Sequence, residues 1–254
     1  MNAVIIGTGL IGGSMALDLR QAGVFTRVIG MDRNEEHLQQ ALALGIIDAI
    51  GTEQELTQAE VVILAIPVNA MAALLPHVLD SVSPKTTVMD AGSTKASICR
   101  AVAGHANRAS FVAAHPIAGT ENSGPAAALR GLFRNKTTII CERERSSAQA
   151  LATARQVFDG LGMTTVYMEP EEHDKHVAYV SHLSHVSSFL LGQTVLDIER
   201  DEKNIFNLAG SGFSSTVRLA KSSPDMWAPI FEQNAEHLSQ ALLEYIMHLQ
   251  RFQY

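Results

Sequence analysis

Gly7, Thr8, Gly9, Leu10, Ile11 and Gly12 follow the apolar run Ala3, Val4, Ile5, Ile6 and open a helical pattern. Glycines at the first, third and sixth positions suit a tight turn whose backbone closely approaches a pyrophosphate. The helix that begins there turns unpaired N–H groups and the positive end of its dipole toward the phosphates. Asp32 stands twenty positions after Gly12, at the end of the next apolar run. A carboxylate there accepts hydrogen bonds from the adenine ribose hydroxyls. Gly7, Gly9, Leu10, Ile11, Gly12 and Asp32 are therefore candidate contacts of a dinucleotide. The same turn also packs helix on sheet without any ligand, and it serves FAD as well as nicotinamide cofactors. Asp32 selects NAD among these, because a carboxylate repels a 2′-phosphate, although Arg33 beside it would suit such a phosphate. NAD is the expected cofactor. Pro67 ends the run through residues 61–66 and is a further candidate contact, since ligands of such sheets lie beyond the strand ends. It reads equally well as loop punctuation.

A second set of residues could move protons. His115 closes the apolar run 111–114 and is held by Pro116. Imidazole is the natural acceptor of an alcohol proton near neutral pH, and the end of such a strand is where a nicotinamide ring would lie. Ser93, in the stretch Asp90, Ala91, Gly92, Ser93, Thr94, Lys95, either caps the helix that follows or turns its hydroxyl toward the same cleft.

The elements that must hold these groups are visible as alternating patterns. Residues 3–6, Arg27–Met31, 61–65, 86–89 and 111–114 read as buried strands, with helical spacing over 10–20, 35–44, 70–79 and 95–103 between them. Strands at Thr137–Cys141 and 164–167 follow, with a helix over 148–161 between them. Strand–helix alternation predicts a parallel, doubly wound sheet of Rossmann type. After Pro170 strands vanish, and helices are expected over 171–197, 214–220 and 224–250. The chain thus reads as α/β, with a dinucleotide-binding domain at 1–168 and an all-α domain at 169–254. That second domain, about 85 residues of apolar helix, is too small to bury its own surface comfortably, which predicts a homodimer through the C-terminal helices.

In bulk the 254 residues are 46% hydrophobic and 18% charged, with a net charge of −7. That balance speaks for a globular protein and against nucleic acid or an anionic membrane as the main partner. Cys99 and Cys141 fall in no metal or redox spacing. With no export signal and no long apolar stretch, a cytoplasmic location is expected.

Several of these segments together resemble the prephenate/arogenate dehydrogenase family. The match runs through Gly7–Gly12, Asp90–Lys95 and His115, Pro116, Ile117, Ala118, Gly119, Thr120, Glu121. It continues through Val180, Ser181, His182, Leu183, Ser184, His185 and from Arg218 to Trp227. The resemblance implies a small-molecule substrate, prephenate or arogenate. It implies that His115 takes the ring-hydroxyl proton as hydride leaves, that Ser93 orients His115, and that Arg218 grips a carboxylate. It further implies that His185 lies near the substrate side chain and that Glu121 and Trp227 stand at the pocket entrance. The implied reaction is NAD-dependent oxidative decarboxylation of prephenate to 4-hydroxyphenylpyruvate in tyrosine biosynthesis, or conversion of arogenate directly to tyrosine. Ser184 stands where many members carry proline. Ser215 stands where an acidic residue can occur, which removes one partner of an ionic gate. With Arg218 and His115 in different domains, a pocket between domains is expected.

Other readings compete. His173, His176, His182 and His185 could hold a metal if helical spacing brought them to one face, but they lack a cysteine or an H-E-x-x-H pattern. No metal is expected. A hydroxyacid or imine dehydrogenase would use a lysine of the helical part, for which Lys175, Lys203 and Lys221 are available. A protein that binds NAD without chemistry would leave His115, Ser93 and Arg218 idle.

Overall fold

The computed structural model describes residues 1–202 and 204–254, so Lys203 lies outside the described residues. The chain divides into two compact units, Met1–His173 and Asp174–Tyr254. In the first, β1 (Asn2–Ile6), α1 (Leu10–Gln21), β2 (Arg27–Met31), α2 (Glu35–Ala43) and β3 (Ala49–Ile50) come first. Then follow β4 (Val61–Leu64), α3 (Val68–Ser81), β5 (Thr87–Asp90), α4 (Ala96–Ala101) and β6 (Phe111–Pro116). β7 (Thr137–Cys141), α5 (Ala148–Gly160) and β8 (Thr164–Met168) complete the sheet.

All eight strands join one sheet in the order β3-β2-β1-β4-β5-β6-β7-β8. Successive strands are laid outward on both sides of β1, so the crevice between β1 and β4 is the switch point where a ligand binds in such sheets. Alternate side chains bury against opposite layers. Ala3, Ile5, Val61, Ile63 and Val112 pack on α1, α2 and α5 through Met15, Leu19, Leu38 and Phe158. Val4, Ile6, Val62, Leu64 and Phe111 pack on α3 and α4 through Met71, Leu75, Val78 and Ile98. Burial on both faces is why these strands read as unbroken apolar runs.

Two features depart from a wholly parallel sheet of seven strands. The two-residue β3 adds an edge next to β2. β7 runs antiparallel to β6, pairing His115 with Ile139 and Pro116 with Thr138. No helical crossover links these two strands. The chain instead folds back along α1, where the Leu129 amide donates to Ser14 Oγ (3.0 Å) and the Gly131 amide to the Asp18 carboxylate (2.9 Å). β7 therefore starts from the edge at which β6 ends. α5 supplies the missing crossover one step later, and β8 lies parallel to β7.

The second unit is helical. α6 (Pro170–Val177) begins before the division between the units and runs past it; a π-turn (Ala178–His182) and α7 (Leu183–Asp201) follow. Then come α8 (Ser211–Thr216), a 3₁₀ turn (Arg218–Lys221), α9 (Pro224–Gln233) and α10 (Ala235–Gln253). The helix expected over 171–197 runs on through the π-turn, whereas the one expected over 224–250 is broken. The break falls at Asn234, whose backbone (φ −115°, ψ 28°) leaves the helical region. Its buried amide Nδ2 donates to the Asp174 carbonyl (2.6 Å) and faces His182 Nδ1 at 3.1 Å, which satisfies a group that would be costly to bury unpaired. No helix among the described residues is long and apolar enough to cross a membrane.

Candidate active site

The glycine turn follows β1 at the switch point, and the packing demands glycine at two of its three glycine positions. Gly7 has φ +97°, and a Cβ there would lie 2.3 Å from the Ala65 carbonyl oxygen at the end of β4. At Gly12 a Cβ would fall 2.0 Å from the Gly7 carbonyl oxygen, so only glycine lets α1 start this close to the sheet. At Gly9 the nearest atom would be 3.9 Å away, so the face of the turn is open there. Gly9 caps α1 without a side-chain hydrogen bond, and no acidic residue occupies the first turn. The amides of Leu10, Ile11 and Gly12 therefore meet no capping side chain, the arrangement that receives a phosphate.

Asp32 follows β2 and ties this turn down. Its Oδ2 accepts from the Thr8 amide (3.0 Å), and its Oδ1 accepts from the Asn34 amide (3.0 Å). A carboxylate has about four lone-pair sites, so capacity for a ribose hydroxyl remains. Pro67 sits just beyond β4 as the N-cap of α3, on the other side of the crevice. These features fit a dinucleotide: an open turn, uncapped amides and an acid at the adjoining strand end.

On the same sheet, His115 is the penultimate residue of β6 and is half-buried. Its Nδ1 lies 2.8 Å from Nε2 of His173, a fully buried residue on α6. The two rings meet edge to face, with centroids 5.0 Å apart and an interplanar angle of 69°. The buried carboxylate of Asp90 at the end of β5 forms an ion pair with the buried Lys95 ammonium. Asp90 Oδ1 also accepts the Ala114 amide (2.9 Å), and its Oδ2 accepts the Gly92 amide (2.9 Å). This pair fixes the end of β6 and the loop carrying Ser93, and removing one partner of such a pair typically costs about 3–5 kcal/mol. Ser93 is half-buried and does not cap α4; the N-cap is Lys95, without a side-chain cap bond. Glu121 is half-buried in the irregular segment after β6.

In the second unit His185, Trp227 and Arg218 come close together. His185 stacks on Trp227 with centroids 3.5 Å apart and an angle of 27°. His185 Nδ1 lies 3.0 Å from the Ser181 carbonyl, which can only accept, so the ring carries its proton on Nδ1 and presents a lone pair at Nε2. Burial first, and the charge of Arg218 second, hold the His185 pKa below the usual histidine value. Trp227 is buried, and its indole Nε1–H is a donor with no hydrogen-bond partner among the described residues. Arg218, on the 3₁₀ turn, is exposed. The three offer a cation, a donor and an acceptor.

The Asp90–Lys95 pair and the His115–His173 contact did not stand out in the sequence as a site. An acid and a lysine five positions apart around Gly92 were a signal for the first. His173 was legible only as one of four clustered histidines. Each of three of these has its own partner: His173 meets His115, Asn234 meets His182, and His185 meets Ser181. Among the described residues no group of three or more metal-binding side chains is placed to hold an ion. Cys99 and Cys141 are buried, and burial pushes the Cys99 thiol up to about 12, which leaves it unreactive near neutral pH.

A nucleotide-binding turn at the switch point of a mostly parallel sheet, followed by a helical unit, defines a two-part dinucleotide-dependent enzyme. Residues 15–167 match the family model for the prephenate dehydrogenase nucleotide-binding domain, and residues 169–254 match the model for its dimerization domain. The chain belongs to the prephenate dehydrogenase family. A prephenate dehydrogenase of Bacillus subtilis is 32% identical over 98% of this chain and 68% of its own length. The structure of prephenate dehydrogenase from Aquifex aeolicus in complex with hydroxyphenyl propionate and NAD+ superposes with a TM-score of 0.87. It is 31% identical, over 99% of this chain and 88% of that one. Synechocystis arogenate dehydrogenase is also similar, with a TM-score of 0.78 and 30% identity over 99% of this chain and 90% of that one.

Proposed function

We propose that the chain catalyses the NAD-dependent oxidative decarboxylation of prephenate to 4-hydroxyphenylpyruvate, in the cytoplasm and as a homodimer. The observation that carries this is His115, an imidazole at the end of β6 on the sheet that bears the glycine turn, whose Nδ1 lies 2.8 Å from His173 Nε2. When bound, the nicotinamide supplies a hydride acceptor for the carbinol carbon of the substrate ring. His115 Nε2 accepts the hydroxyl proton, and Ser93 helps to orient that hydroxyl. The ring carboxylate leaves as CO₂, driven by aromatisation, so the protein need not stabilise a carbanion, and the phenolate oxygen that results takes the proton back from His115. Arg218 pairs with the remaining carboxylate, for which a guanidinium fork is better shaped than an ammonium. Trp227 Nε1–H is available to a substrate oxygen, and Glu121 stands at the entrance. Gly7, Gly9, Leu10, Ile11, Gly12, Asp32 and Pro67 hold the cofactor. Support comes from the Aquifex aeolicus relative, solved with NAD+ and a hydroxyphenyl compound.

One observation favours arogenate as a second substrate. A neutral His185 offers a lone pair at Nε2, which suits the side-chain ammonium of arogenate; protonated, it offers a donor, which suits the ketone of prephenate. Its pKa is lowered, so the ring is neutral at pH 7 and gains its second proton only below the ordinary value of about 6.5. The ratio of kcat/KM for prephenate to that for arogenate should therefore rise as pH falls below the ordinary histidine range. Effects on His115 cancel in this ratio, because both substrates lose the same hydroxyl proton. Initial rates of NADH formation with each substrate, from pH 5 to 8, test the point, and a flat ratio removes His185 from the discriminating position. The same assay run with NADP should give far lower efficiency than with NAD, given Asp32; no NADH from either substrate would end the functional proposal.

The dimer proposal rests on the match to a dimerization domain and on apolar side chains left in solvent. Leu190, Leu196 and Ile198 on α7, and Leu243, Ile246, Leu249 and Phe252 on α10, are all exposed, Phe252 at 92%. So many exposed apolar residues on two helices signal an unformed interface. Light scattering at micromolar concentration should give about twice the 27.4 kDa chain mass, and a monomer would overturn it.

A further inference from the structure

We propose that His173 is a positioning residue that sets the tautomer of His115, accepting its Nδ1 proton and so leaving a lone pair on His115 Nε2 for the substrate hydroxyl. This rests on the proposed role of His115 as proton acceptor. The two facing nitrogens, His115 Nδ1 and His173 Nε2, are 2.8 Å apart, a hydrogen-bond distance that holds a single proton. Two protons between them would clash, and none would leave two lone pairs opposed. Two arrangements remain. If His173 donates, His115 carries its own proton on Nε2, and that nitrogen can donate to the substrate but not accept. If His115 donates, Nε2 is a base. Only the second arrangement supports removal of the hydroxyl proton, and it requires His173 to be neutral with its proton on Nδ1.

Both rings stand on fixed backbone. β6 is held at Ala114 by the buried Asp90 carboxylate and is paired through His115 with Ile139 of β7. His173 lies in the first turn of α6, where its amide donates to the Glu169 carbonyl (2.9 Å). Arg100 on α4 braces that turn through Glu171 (2.6 Å). His173 has no exposed surface, so its ring cannot swing into solvent, and the edge-to-face contact limits rotation further. When His115 takes the second proton, the charge forms beside a neutral acceptor, in the position that a carboxylate fills in the Ser-His-Asp triads. The covalent change is confined to one proton: the substrate O–H bond breaks, an N–H bond forms at His115 Nε2, and His173 keeps its own proton throughout.

The test compares His173→Leu with His173→Gln, whose side-chain carbonyl can accept the same proton. His173→Leu should lower kcat by about 10²-fold while the KM values for substrate and NAD stay within about threefold. His173→Gln should recover turnover to within about tenfold of the parent. Equal losses in both variants, or a His173→Leu protein with parental kcat, would overturn the proposal. A readout independent of folding of the variants is ¹⁵N NMR of the parent protein, with His115 assigned by its loss in His115→Asn. Nδ1 of His115 should carry the proton and Nε2 should be unprotonated at pH 8; the reverse pattern refutes it. Prephenate turnover that survives in His115→Asn would strike the functional reading itself, whereas turnover lost there and retained in His173→Leu would strike this inference alone.

Discussion

His115→Asn should lower kcat with prephenate by about 10³-fold, within the 10²–10⁴ range of a positioned general base, while the KM for NAD changes less than threefold. Asparagine keeps a polar group of similar reach but cannot accept a proton at neutral pH, so the hydroxyl proton must go to water. Cofactor affinity should hold because the glycine turn follows β1, and β4 and β5 stand between β1 and β6 in the sheet. The fold should survive as well, since His115 is only half-buried and β6 is anchored at Ala114 and paired along β7. Steady-state rates at saturating NAD, with thermal melts as a control on folding, measure this. Turnover near the parental level would end the assignment of His115 as the proton acceptor.

For Arg218→Ala the expected loss is in KM for prephenate, roughly 10- to 100-fold, with kcat changed much less. A hydrogen bond to a charged group contributes about 1.5–3 kcal/mol, and each 1.4 kcal/mol is a tenfold change in binding. The carboxylate that Arg218 would hold is remote from the reacting carbon and keeps its charge throughout the reaction. Its grip is therefore felt equally in the ground and transition states, and its removal appears as KM. Arg218 is exposed, so its loss leaves no buried charge behind and should hardly alter stability. Arg218→Lys is the informative companion: it keeps the charge but loses the planar fork, and should fall between the parent and the alanine variant. An unchanged KM in Arg218→Ala would exclude the residue from the substrate site.

The two halves of the site differ in how they could be found. Gly7, Gly9, Gly12 and Asp32 were legible because their requirement is local: a positive φ, a missing Cβ and a strand end at fixed distance. His115 was legible for a similar reason, as a titratable residue closing an apolar run. His173 was not, although its Nε2 lies 2.8 Å from His115 Nδ1. Its helical spacing to His182 and His185 suggested a shared face. The π-turn at Ala178–His182 inserts an extra residue per turn, which rotates everything beyond it by about 100° relative to a continuous helix. No composition marks such a turn.

From the residues alone came the strand–helix alternation, the cofactor turn, the change to helix after Pro170 and the family resemblance, because periodicity and steric demand act over a few neighbouring positions. The direction of β7, the break at Asn234, the Asp90 link to Ala114 and the pairing of His115 with His173 came only with the tertiary structure. Each depends on groups 24 to 115 residues apart in the chain: Ser14 with Leu129, Asn234 with Asp174, Asp90 with Ala114, and His115 with His173. A local pattern states which face of an element is apolar, but which buried donor meets which acceptor is decided only when those faces close on each other and exclude water.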